Sequence, residues 1–186
     1  ADERDNEALA SDKSALLPGE EASFANYTSY HRGINGIMID EEGLAGTPNL
    51  DDFRFRMGNH SDPNTCMEAP NPHAIDVRRG DGLDRSDRVS LVWNDQGVTG
   101  QWLQVTMRRT ENTGLAEEDV FYFGNAVGDA DGKAVDGQFK VDIADLQAIL
   151  AGNVFPRREP IPVDRPLDFR SEEHTSELQS LTNLGF

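Results

Sequence analysis

The sequence predicts a mainly β protein, an antiparallel β-sandwich carrying a short C-terminal calcium-loop–helix appendage. Three observations predict it. Between residues 24 and 127, short runs of alternating apolar and polar residues are separated by Gly, Asn, Asp and Pro. These runs follow one another without intervening helical patterns, so turns rather than crossover helices connect them. From residue 128 the pattern changes: aspartates at 129, 131, 136, 142 and 145 stand among glycines, and apolar residues at helical spacing follow directly.

Residues 1–23 are polar and acidic, with Pro18-Gly19 as a breaker, and read as a linker or the end of a preceding domain. The chain begins at Ala1 rather than Met and is read as a fragment of a longer protein. Order is expected to begin at Phe24. Residues 24–30 are aromatic and Thr-rich, and residues 36–39 form a short apolar strand. In residues 53–57, Phe53, Phe55 and Met57 share one face while Arg54 and Arg56 share the other. Residues 74–77 follow a proline-punctuated loop. Residues 89–93 put Val89, Leu91 and Trp93 on one side. In residues 102–107, Leu103, Val105 and Met107 oppose Trp102, Gln104 and Thr106, and residues 120–123 form a last short strand. Turn chemistry lies between them at Gly33, Gly58-Asn59, Gly80-Asp81-Gly82 and Asn94-Asp95-Gln96-Gly97.

Composition narrows the function classes. The formal charge of -17 repels nucleic acid and anionic lipid and suits divalent cations. No run approaches the length and apolarity of a membrane span. Cys66 is the one cysteine, which excludes an intrachain disulfide and a Cys-rich zinc site. Among Pro, Asn and Met, it reads as packing or loop material.

His31, His60 and His73 are scattered and match no metal-ligand spacing. Glu41-Glu42 and Asp51-Asp52 are paired acids, but glycosidase chemistry needs two carboxylates facing each other across a cleft, which adjacency does not supply. Trp93 and Trp102 flank a hairpin; buried, they are core, and exposed, they stack on a sugar ring. Tyr27 and Tyr30 are further candidates for such a platform.

Residues 128–155 hold the acidic loop and its helix. Asp142 suits an N-cap, Ile143, Leu146, Ile149 and Leu150 share one side, and Gly152 stands where a C′ residue belongs. A helix of two to three turns is too short to stand alone in water and must pack on a partner. Clustered carboxylates repel one another unless a cation neutralises them, so Asp129, Asp131, Asp136, Asp142 and Asp145 are the candidate Ca²⁺ ligands; the alternative is a solvated turn whose acids cap the helix at its positive N-terminal end.

Val141-Asp142-Ile143-Ala144-Asp145-Leu146, preceded by Asp129-Ala130-Asp131-Gly132 and Asp136-Gly137, resembles the type I dockerin repeat, an EF-hand-like loop leading into a helix. Two registers stay open. With Asp145 at the twelfth loop position, the first falls on Ala134, the third on Asp136 and the fifth on Gln138; with Asp129 first, the twelfth falls on Lys140. The loop then either carries an insertion, with Asp129 and Asp131 closing the cage from outside, or is a degenerate copy. Pro166-Leu167-Asp168-Phe169 resembles the entry to a second repeat, making residues 156–169 a linker and the start of that repeat. The runs YHRGINGIM at 30–38, QWLQVT at 101–106, ENTGLA at 111–116 and DVFYFGNA at 119–126 resemble a region preceding dockerin-like tails in large secreted bacterial multidomain proteins, a resemblance that covers roughly residues 24–155. Arg170 to Ser180, RSEEHTSELQS, resembles a translated DNA-sequencing adapter, so residues 170–186 are read as a non-native tail and kept out of the fold reasoning.

The resemblance implies an extracellular protein, secreted or on the cell surface, with Ca²⁺ as cofactor, held at the modest affinity of extracellular sites, about 10⁻⁴ to 10⁻³ M. The expected function is a non-catalytic attachment region that docks a protein partner through the dockerin-like module. Two alternatives stand beside it. One is a carbohydrate-binding β-sandwich with polysaccharide as partner; the other is the accessory region of a polysaccharide-degrading enzyme. No residues here form a catalytic set, so the chain is expected not to be an enzyme.

Overall fold

The structure, a computed structural model, describes residues 10, 12–60, 62 and 65–129, and the backbone of three further strands at 134–135, 138–139 and 178–183. The strands are β1 (Tyr27–Thr28), β2 (Gly36–Glu41), β3 (Phe53–Gly58), β4 (Met67–Glu68), β5 (Ala74–Arg78), β6 (Asp87–Val92), β7 (Trp102–Met107), β8 (Asp119–Asn125), β9 (Ala134–Val135), β10 (Gln138–Phe139) and β11 (Leu178–Asn183). Short 3-10 turns, such as Phe24–Asn26 and Leu50–Asp52, lead into β1 and β3. The chain is mainly β, and no α-helix lies among the described residues. The helix expected after Asp142 lies outside them.

Two sheets carry the fold. One has the order β1-β8-β7-β3-β4, the other β11-β2-β6-β5. Within each, the long central pairs are antiparallel: β5–β6 and β7–β8 join consecutive strands, while β2–β6 and β3–β7 join strands far apart in the chain. The edges differ: β1 runs parallel to β8, and β11 runs parallel to β2 with Leu178 opposite Gly36 and Asn183 opposite Glu41. A long stretch of chain separates β1 from β8, so no hairpin holds them antiparallel and a parallel course is open to them. β11 falls in the segment that the sequence reading sets aside as adapter-derived.

Alternation along the strands builds the core. Ile37, Ile39, Val89 and Leu91 from one sheet meet Phe53, Phe55, Leu103, Val105, Phe121 and Phe123 from the other in a single buried cluster. Trp93, at 2 % exposure, meets Phe55 edge-on with ring centroids 5.3 Å apart, and its Nε1 donates to the Pro70 carbonyl at 2.8 Å. A buried indole N–H needs such a partner. Because period 2 sends these residues inward, Trp102, Gln104 and Thr106 of β7 turn to the opposite face of their sheet.

The segment before Phe24 is tied to this body. Leu16 exchanges two backbone hydrogen bonds with Tyr122 on β8, both 2.9 Å, and the Ser14 amide donates to the Ala25 carbonyl at 2.7 Å. Lys13 Nζ stands 3.6 Å above the Phe24 ring, a cation–π contact, and donates to the Phe24 carbonyl at 3.1 Å. The bridge sets Leu16 beside β8, and residues 16–20 border the same cleft as Trp102, Gln104 and Tyr122.

Candidate ligand cleft and the root of the acidic loop

Cross-strand register sets out the site. On the outer face of the five-stranded sheet, Trp102 is paired with Gly58 on one side and Gly124 on the other. The indole lies across Gly124: a Cβ built there would stand 3.2 Å from two indole carbons and 2.7 Å from Tyr27 Cβ. A Cβ on Gly58 would stand 2.9 Å from Cys66 Sγ. Only glycine permits these approaches. One row along, Arg56, Gln104 and Tyr122 are paired across the strands, and Gln104 Nε2 donates to the Tyr122 hydroxyl at 2.9 Å.

Two walls rise over this floor. Residues 16–20 form one, held by the Leu16–Tyr122 bridge; Asn59, His60 and Cys66 form the other, with Asn59 Nδ2 donating to the Gly100 carbonyl at 2.9 Å. Between them lies a cleft of about 950 Å³. Asn125 closes one end: its Oδ1 accepts from the Gly100 amide at 2.9 Å, and its Nδ2 donates to the Tyr30 carbonyl at 2.9 Å.

The four candidate aromatic platforms separate cleanly. Trp93, Tyr27 and Tyr30 are buried, while Trp102 is half-buried and lines the cleft. Sequence reasoning missed Gln104, Tyr122, Gly58 and Gly124 as cleft residues. The sequence reading ends those strand runs at residues 57 and 123 and gives Gly58 to a turn; in the structure both glycines lie in strands, where a glycine marks close approach by another group.

The acidic loop starts beside the same cleft. Asp129, at 0 % exposure, accepts a 2.7 Å hydrogen bond from the Tyr27 hydroxyl through Oδ2, and Tyr27 also lines the cleft. Asp131, Asp136, Asp142 and Asp145 lie outside the described residues. β9 and β10 pair antiparallel on either side of 136–137, with Val135 opposite Gln138. Among the described residues, no group of three or more His, Cys, Asp or Glu is gathered to hold a metal ion. Carboxylate oxygens are the donors Ca²⁺ takes, and of the five candidate aspartates only Asp129 lies among the described residues, with one oxygen engaged by Tyr27.

The other acidic residues do different work. Asp52 ends the 3-10 turn before β3 and accepts from Thr110 Oγ1 at 2.6 Å, the Asn49 amide at 2.8 Å and Asn112 Nδ2 at 3.0 Å. Burial disfavours its charge, but these bonds and the nearby Arg108 outweigh it and hold the carboxyl below the usual carboxylate range. Asp40 is buried against Arg88, whose Nε and Nη2 both donate to it at 2.7 Å. Glu41 points between the sheets from the end of β2, 5 % exposed, and its Oε2 has no hydrogen-bond partner among the described residues. Burial, with Asp119 and Glu42 nearby, raises it to about 7. None of Asp40, Glu41 and Asp52 lines the cleft, and His31 and His73 are exposed and lie away from it.

No family model matches the chain, and no curated protein or solved structure matches it either.

Proposed function

We propose that this chain is a non-catalytic binding region of a secreted bacterial protein. In this reading, an antiparallel β-sandwich presents the cleft over Trp102, and a dockerin-like Ca²⁺ loop leaves the sandwich at Asp129 to dock a protein partner. The observation that carries the reading is the dual position of Tyr27. Its ring lines the cleft and its hydroxyl fixes Asp129, so the root of the acidic loop and the ligand surface share one buried residue. The acidic composition supports the cation, since carboxylates crowded after residue 128 repel one another until neutralised. Where metal binding orders a segment, its free energy becomes folding free energy.

The test is calorimetric titration of the full chain with Ca²⁺, followed by thermal melting. The expected result is saturable binding at about 10⁻⁴ to 10⁻³ M, a raised Tm, and loss of both in an Asp136→Ala, Asp145→Ala double variant. A flat titration to about 10 mM, beyond that affinity range, overturns the calcium part. The double variant binding like the parent assigns the ion to other residues.

A further inference from the structure

We infer that the cleft over Trp102 is a site for a segment of neutral polysaccharide, with the indole as its stacking platform. The inference rests on reading the chain as a binding region and adds the chemistry of its ligand.

The ring is preorganised. One face of the indole rests on the backbone at Gly124, Tyr27 meets it edge-on at 6.3 Å and 69°, and Gly58 leaves its other flank without a side chain of its own. The C–H groups of a pyranose carry partial positive charge and pack on the electron-rich face of such a ring. A platform held in advance costs little conformational entropy when the ligand arrives.

The groups beside the ring suit hydroxyls. The Gln104 amide and the Tyr122 phenol, joined at 2.9 Å, both donate and accept, and Asn59 adds a second amide at the wall. A sugar hydroxyl also does both, so it can satisfy either partner. A proline-rich peptide also favours aromatic grooves, but its prolyl nitrogens have no N–H to offer the Gln104 carbonyl.

Charge decides against an acidic glycan. No Lys or Arg is among the described residues lining the cleft; Arg56, beside Gln104 on the same face, has Glu68 opposite it on β4, Glu20 stands on the cleft wall, and the chain carries -17 overall. A carboxylate or sulfate brought into such a field meets Glu20 and a net negative surface, against a single arginine already faced by Glu68, and is disfavoured. The volume, about 950 Å³, lies at the upper end of the range of about 300–1,000 Å³ for sites that enclose small ligands, which suits part of a chain that passes through.

Two built-in reporters make the test direct. Cys66, the one thiol, lines the cleft, and Trp102 is there while Trp93 is buried in the core. The full chain is alkylated with iodoacetamide in the presence of gluco-, xylo- and manno-oligosaccharides, each to about 10 mM, near the weak limit of useful affinity. Oligogalacturonate and a proline-rich peptide are run alongside, and tryptophan fluorescence is followed in parallel. At least one neutral oligosaccharide is expected to slow Cys66 alkylation and shift the fluorescence. Trp102→Ala should abolish both effects, and Gln104→Ala, which leaves the core intact, should weaken binding about tenfold, the loss of roughly one hydrogen bond. Oligogalacturonate should do neither.

Protection by the peptide alone, equal protection by oligogalacturonate, or no protection by any neutral sugar overturns the inference. Calcium titration of the same preparation separates this failure from failure of the broader reading. Calcium binding that persists while every sugar fails removes the glycan and leaves the binding region.

Discussion

The Tyr27 hydroxyl donates a 2.7 Å hydrogen bond to Asp129 Oδ2, tying β1 to the residue at which the acidic loop begins. Both residues are essentially inaccessible, Tyr27 at 1 % and Asp129 at 0 %. Removing a donor from a buried carboxylate costs more than the net value of a surface hydrogen bond, because water cannot replace it. Tyr27→Phe keeps the ring and deletes only that donor. It should destabilise the protein by about 1.5–3 kcal/mol. If the loop holds Ca²⁺, the same variant should also weaken that binding, because the chain would enter the loop from a less fixed point. Melting with and without Ca²⁺ checks both effects; unchanged stability would mean that other contacts suffice to hold Asp129.

Glu41 gives a pH signature of definite sign. Its carboxyl stands at about 7 in the fold against an ordinary value of 4.5, so between the two the native state holds a proton that the unfolded chain has released. Its contribution is therefore most favourable below about pH 4.5 and declines as pH rises through the window up to about 7. Asp119 and Glu42 add repulsion, and Asp87, opposite Glu41 across the β2–β6 pair, is engaged by Arg79. Glu41→Gln keeps the shape without the charge. It should raise stability at pH 8 by on the order of 2–3 kcal/mol and have little effect at pH 4.5. Denaturant unfolding of both proteins across that range measures the difference, and parallel curves would contradict it. Asp52 works in the opposite sense: its lowered carboxyl stabilises above its unfolded value and loses that contribution in acid.

The inward faces of the strands were legible in the sequence because period 2 leaves a direct trace. Val89, Leu91 and Trp93 were read onto one side and all three are core, as are Leu103, Val105 and Met107. Pairing leaves no such trace. That Gly58 and Gly124 would both stand opposite Trp102 depends on the register of three strands, and that Leu16 would bridge Tyr122 depends on a chain reversal with no hairpin signal. The two tryptophans show the same limit: alternation puts Trp93 in line with Val89 and Leu91, but nothing local says that the outer face bearing Trp102 is walled into a cleft. The parallel course of β1 beside β8 was equally hidden, since a two-residue strand carries no directional signal.

Arg88 and Asp40 form a buried pair in which both guanidinium bonds are 2.7 Å, and the Leu83 amide adds a third donor to Asp40 at 2.9 Å. Charges taken out of water are tolerated only when paired in this way. Arg88→Met strands the Asp40 carboxylate and should cost about 3–5 kcal/mol. The double variant Arg88→Met, Asp40→Leu removes both charges and should recover most of that loss, apart from the bond to the Leu83 amide. A double-mutant cycle by chemical denaturation reads the coupling. Additive losses would show that the two side chains do not depend on each other.

Gly124→Ala tests the geometry of the cleft independently of any ligand. The added methyl would stand 2.7 Å from Tyr27 Cβ and 3.2 Å from two carbons of the Trp102 indole. Tyr27 Cβ is fixed close to the β1 backbone, so that contact is relieved only if β1 shifts away from β8, while the two milder contacts are relieved by the indole turning. Overpacking of this kind costs about 1–3 kcal/mol. The strain should appear as a displaced Trp102 ring, with a changed fluorescence from that tryptophan while Trp93, in the core, is unaffected. If the cleft binds by stacking on Trp102, ligand affinity should fall further than stability does, because the platform moves while the fold survives. A stability loss with unchanged Trp102 emission would mean that the strands part to admit the methyl and the indole keeps its place.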